Sequence, residues 1–153
     1  MIITTYNGTH QQQLEVDAQS MISLISTDLF AMEKGIRQCC SHQVPKSIWG
    51  RVLSFLKNYI ATVPESKDFK VSYKYYDLKG EDQDYYEVFI YKYDHQLKIF
   101  EVIEYTEDNN IGNSRMLYIT EWMKCALFGY SSESNEHYLC KFPDPDKTMF
   151  INL

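Results

Sequence analysis

The sequence runs to 153 residues, 44% hydrophobic and 24% charged, the size and balance of one soluble globular domain. Six Gly and four Pro exclude collagen-like and Pro/Gly-rich disordered chains. Fifteen Lys and Arg against 21 Asp and Glu give a net charge of -6, and no Lys/Arg run interrupts it, which argues against a nucleic-acid partner.

The charge is unevenly spread. Residues 64–108 hold six basic and twelve acidic side chains, whereas residues 1–63 are net +1 and residues 109–153 net -1. Clustered charge of one sign steers an oppositely charged partner inward. The first residues show no basic n-region followed by an apolar stretch, and no window approaches the apolar length of a membrane span. The expectation is therefore a cytoplasmic protein in which Cys39, Cys40, Cys125 and Cys140 are free thiols.

In chain order, β-prone residues 2–6, the turn pair Asn7-Gly8 and residues 11–16 predict an N-terminal hairpin. Asp17 is placed to cap a helix over 18–41, where Met21, Ile25, Leu29, Met32, Ile36 and Cys40 recur every three or four residues. Gly35 weakens that helix by roughly 1 kcal/mol relative to Ala. Pro45 suits the first turn of a second helix with the apolar face Ile48, Trp49, Val52, Leu56, Tyr59 and Ile60, which Pro64 stops. A link of only about four residues between the two predicts an antiparallel helical hairpin.

From Phe69 the period becomes two. Strands are expected over 69–78, 84–93, 96–105 and 114–121, joined by 79–83, by Asp94-His95 and by a loop over 109–113. Residues 122–128 fit either a short helix or a strand, 138–142 a strand, 143–146 a rigid turn, and 149–153 an edge strand or a docked tail. The fold class expected is α+β: an antiparallel meander sheet of four or more strands packed on an N-terminal helical hairpin, in one domain over 1–153.

The sheet so predicted has two apolar faces. Tyr86, Val88 and Ile90 share one face of their strand; Tyr85, Glu87, Phe89, Tyr91 and Tyr93 share the other. Phe69, Val71, Tyr73 and Tyr75 likewise oppose Lys70, Ser72, Lys74 and Tyr76, and Leu97, Ile99 and Ile103 oppose Phe100 and Val102. A sheet with one wet face alternates more cleanly than this. The two helices cover one face. The other mixes Tyr and Phe with Glu and Lys, the composition of a binding surface. Its cover is the chain's own terminal segments, a second copy, or another protein.

Little catalytic chemistry is written in the motifs. Cys39-Cys40-x-His42 and His137-x-x-Cys140 bring thiols near imidazoles, but adjacent cysteines on a helix point about 100° apart and rarely share an ion. Cys40 is expected in the core, with no metal and no cofactor. A Cys/His nucleophile pair would need an orienting third group. Glu101 and Glu104 fall on opposite faces of a strand, and Glu81, Asp82 and Asp84 lie in a turn without the dry walls that raise a carboxyl pKa. No phosphate-binding glycine loop, nucleophile elbow or His-Glu-x-x-His is present. Phe89, Tyr91 and Tyr93 have the rings to stack bases, but the surrounding charge has the wrong sign.

The function expected is non-catalytic binding, in which the acidic, Tyr-rich centre occludes a basic protein. Its concrete form is an immunity protein that neutralises a basic, nuclease-type toxin domain. The contact residues expected are Asp77, Glu81, Asp82, Asp84, Tyr85, Glu87, Tyr91, Tyr93 and Asp94. Two alternatives stand beside it. One is a homodimeric assembly protein or a phage or viral host-modulating protein acting through the aromatic face. The other is an enzyme with an unrecognised site around His42 or His137.

Overall fold

A computed structural model describes residues 9–78 and 84–129. The first helix, α1 (His10–Glu33), begins well before Asp17 because Thr9 and Gln12 close its first turn reciprocally. The Gln12 N–H donates to Thr9 Oγ1 at 3.2 Å, and the Thr9 N–H donates to Gln12 Oε1 at 2.8 Å. Residues 11–16 are thus helix and not a returning strand, and Asp17 sits inside the helix, accepting from the Gln13 amide. Residues 2–6 and Asn7-Gly8 of the expected hairpin lie outside the described residues. Gly35, with φ +72°, ends α1. Its N–H donates to the Met32 carbonyl and that of Ile36 to the Ala31 carbonyl, a closure that needs a left-handed residue. The glycine read as a weak interior position is the stop.

The chain then extends into β1 (Cys40–Pro45), so Cys40 leaves the helical stripe. The second helix, α2 (Trp49–Thr62), forms with Trp49, Val52 and Leu56 buried and Pro64 following it as expected, but Pro45, expected in its first turn, ends β1 instead. Because β1 stands between α1 and α2, the short-linked helical hairpin is replaced by helix–strand–helix, although the two helices still pack together.

Strands β2 (Lys70–Tyr76) and β3 (Tyr85–Tyr91) also match, and they pair antiparallel with Val71 opposite Ile90 and Tyr73 opposite Val88. β1 adds to the other edge of β3, with Cys40 opposite Ile90 and Val44 opposite Tyr86. Among the described residues the sheet has three strands in the order β1-β3-β2, not a meander of four or more.

The other two expected strands are helices: α3 (Asp94–Asp108) and α4 (Ser114–Phe128). Leu97, Phe100 and Ile103 are three apart and line one face of a helix, whereas the strand expectation rests on the even spacing of Leu97, Ile99 and Ile103. Local end signals favour the helix. Gln96 Oε1 accepts the N–H groups of Lys92 and Tyr93 at 2.9 and 3.0 Å. Asn113 Oδ1 caps α4 through the Met116 N–H, and Gly129, with φ +74°, ends it. Residues 122–128 resolve as helix. The expected elements over 138–142, 143–146 and 149–153 lie outside the described residues.

The sheet therefore lies between two helical pairs. On the first face Cys40, Val44, Val88 and Ile90 pack against Ile25, Leu29 and Met32 of α1 and Val52 and Leu56 of α2. On the second face Phe89 and Tyr91 pack against Phe100 of α3 and Phe128 of α4. The Phe89 and Phe100 rings stack with centroids 4.2 Å apart. Each such ring contributes roughly 1.5–3 kcal/mol through removal from water. The alternation assigned to β2 and β3 from sequence holds. The cover of the second face is the chain itself, through the segments expected to be strands. Among the described residues no helix is long and apolar enough to cross a membrane.

Candidate functional site

Glu87 interrupts the second face. Alternation along β3 puts it beside Phe89 and Tyr85, with Gln43 and Lys74 opposite it on the flanking strands. Above it α3 supplies Glu104 and Glu107, and α4 supplies Glu121 and Lys124. The Tyr76 hydroxyl donates to Glu104 Oε2 at 2.6 Å. Lys124 Nζ lies 2.5 Å from Glu107 Oε1 and 3.4 Å from Glu121 Oε1. Glu101, by contrast, is exposed: on a helix Glu104 turns toward the sheet and Glu101 away from it, which replaces the opposed strand faces expected for this pair.

Four carboxyl groups thus gather around one ammonium. Glu87 and Glu104 share a hydrogen bond, which two carboxylates cannot make without a proton. Burial, reinforced by the charge of Glu104, pushes Glu87 up to about 8, so near neutral pH Glu87 holds that proton. Its Oε1 is buried with no hydrogen-bond partner among the described residues. Burial opposes the charge on Lys124, but Glu107 and Glu121 together raise its pKa. Burial and then the Glu104 bond raise the Tyr76 phenol. The cluster lies part-exposed between sheet and helices, the Lys124 and Glu107 side chains being 26 and 25% accessible.

The nine expected contact residues separate. Tyr85, Glu87 and Tyr91 lie under α3 and α4: Tyr91 is 7% exposed, and Tyr85 stacks on Tyr76. Asp77 follows β2 and Asp84 precedes β3, at the end of the strand pair where Tyr76 faces Tyr85. Asp77 is exposed, while Asp84 accepts from the Tyr75 hydroxyl at 2.6 Å and the Leu78 N–H at 3.0 Å, bonds that lower its pKa. Glu81 and Asp82 lie outside the described residues. Tyr93 and Asp94 are exposed at the start of α3, Tyr93 stacked on His95 and Asp94 paired with Lys70 at 2.8 Å.

Next to these, the sequence reading missed the outer face of α3. There Ile99, Val102 and Tyr105 are exposed together with Glu101 and Asp108. Strand periodicity had distributed those residues over two sheet faces. Their spacing of three is the signal that finds them once the segment is helical.

A second polar group joins α1 to β1. His42 Nε2 lies 2.6 Å from Asp28 Oδ2, and Arg37 binds the other carboxylate oxygen. Burial, followed by the charge of Asp28, raises the Cys40 thiol far above its ordinary value, which leaves it protonated and a poor nucleophile. Burial likewise lifts Cys39 to about 12. His137 and Cys140 lie outside the described residues. No protein-family model matches the sequence, and neither a search of curated proteins nor one of solved structures finds a match.

Proposed function

We propose that this chain is a non-catalytic binding protein for a basic protein partner, docking through the outer face of α3 and the adjoining corner at Tyr93 and Asp94. Its concrete form is an immunity protein that occludes the positive site of a nuclease-type toxin domain. The composition of the α3 face carries this reading. Ile99, Val102 and Tyr105 are 41, 56 and 70% exposed. On the outward side of the helix Asp94, Glu101 and Asp108 stand against Lys98, a net charge of -2. Apolar anchors among mostly acidic side chains combine contact area with steering.

The same charge weighs against pairing with a second copy, since two such helices repel each other across a shared interface. The protonated, buried thiol of Cys40 weighs against nucleophilic catalysis at His42.

The test is a photo-cross-linking residue at position 105, introduced in the native host, with mass spectrometry of the product. A basic protein is expected, forming a purified one-to-one complex whose association rate falls steeply with salt. Glu101→Lys combined with Asp108→Lys should slow association by about tenfold or more. An acidic partner, or a rate indifferent to both salt and charge reversal, would overturn the reading.

A further inference from the structure

Neighbouring cysteines on a helix diverge, which argues against a shared metal. That reason does not apply in the fold. Cys40 opens β1, so Cys40 and His42, two residues apart on a strand, project from the same face. Asp28 reaches them from α1. One donor atom of each side chain lies within 4.8 Å of the other two.

We propose that Asp28, Cys40 and His42 bind a single Zn²⁺ ion. A thiolate, an imidazole and a carboxylate form a donor set that suits zinc, and three protein ligands leave the fourth tetrahedral position to water. Water can reach it, since the Asp28 and His42 side chains are each 16% exposed. Bonds of about 2.0–2.3 Å set tetrahedral donors roughly 3.3–3.6 Å apart. From the present 2.6 Å, Asp28 and His42 need only separate slightly while Cys40 draws in.

The proton balance is simple. Zn²⁺ takes the sulfur lone pair of Cys40, whose thiol proton leaves to solvent, and the Nε2 lone pair of His42, whose proton, now given to Asp28, shifts to Nδ1. Arg37, on the other oxygen of Asp28, holds that carboxylate in place as outer partners of metal ligands do. Its positive charge lowers the affinity without occupying a ligand position.

Cobalt(II) titration of the reduced, chelator-treated full chain tests the site. The expected result is a near-ultraviolet thiolate-to-cobalt charge-transfer band with tetrahedral visible absorption, saturating at one equivalent and abolished by one equivalent of Zn²⁺. Cys40→Ser should remove the band. His42→Gln, at the solvent edge of the site, should keep the fold by circular dichroism and lower zinc affinity by more than about 100-fold, beyond the loss typical of outer-partner changes. Absence of the band in the unaltered chain, its persistence in Cys40→Ser, or undiminished affinity in folded His42→Gln would each overturn the proposal.

Discussion

The two faces of one sheet are held by different physics. Toward α1 and α2 the strands present Cys40, Val44, Val88 and Ile90, and the helices answer with Ile25, Leu29, Met32, Val52 and Leu56. That interior is mainly apolar, with Trp49 and Phe69 among its buried residues and the Asp28–His42 pair at its edge. Toward α3 and α4 only Phe89 and Tyr91 are well buried among the strand residues, and the next position along β3 on that face, Glu87, meets carboxylates. The second interface thus combines a small aromatic cluster with a polar layer that closes only when a proton is present. A face that looks half-polar in sequence can be internal, provided its polar members find partners or protons.

The largest test of this contrast is removal of the aromatic anchor. Phe89→Ala should cost about 3–5 kcal/mol in urea denaturation, comparable to about 2–5 kcal/mol for Leu56→Ala on the first face. A loss below about 1 kcal/mol at Phe89 would mean that α3 and α4 add little to the fold.

The polar layer gives the two faces different pH behaviour. The Glu87 carboxyl has an ordinary value of 4.5 when unfolded and about 8 when folded, so between those limits the native state holds a proton that the unfolded chain has released. Stability should therefore fall as pH rises from about 4.5 to about 8, and this contribution should be flat outside that window. The slope is at most about 1.4 kcal/mol per pH unit, and less here because Glu87 keeps part of its solvent. Glu87→Gln, neutral at every pH, should flatten it; denaturation midpoints measured across the window check this. An unchanged slope would place the titrating group elsewhere.

A smaller effect belongs to α1. Thr9→Ala removes the reciprocal cap and should cost about 1 kcal/mol, read as a shift in thermal midpoint. Smallest of all, Glu101→Lys with Asp108→Lys on the solvent side of α3 should change stability by no more than about 0.5 kcal/mol. A larger loss would mean that these two acids support the fold and are not simply available to a partner.

Two strands and one helix were readable because each shows a single clear period. Val71, Tyr73 and Tyr75 alternate without competition, as do Tyr86, Val88 and Ile90, and Trp49, Val52 and Leu56 keep helical spacing up to Pro64. The errors arose where two readings fitted the same residues. Leu97, Ile99 and Ile103 satisfy a strand, while Leu97, Phe100 and Ile103 satisfy a helix. In α1 the apolar series ran on through Ile36 to Cys40, past the true end at Gly35, and Thr9-x-x-Gln12 went unused as a start signal. The α3 face that now carries the functional reading was hidden by the first error. The union of Asp28 with His42 was hidden by the second, because a helix reaching residue 41 leaves no strand for Cys40 and His42 to share.

From the residues alone came the segregation of negative charge into the central third, the facing of β2 and β3, and the position of α2, because these depend on composition and on neighbours close along the chain. Which segments would cover the second face, that β1 would complete the sheet, and that Glu87 would need a proton were decided in three dimensions. Short apolar stretches satisfy either period, and only burial against a particular partner surface makes one of them the lower in free energy.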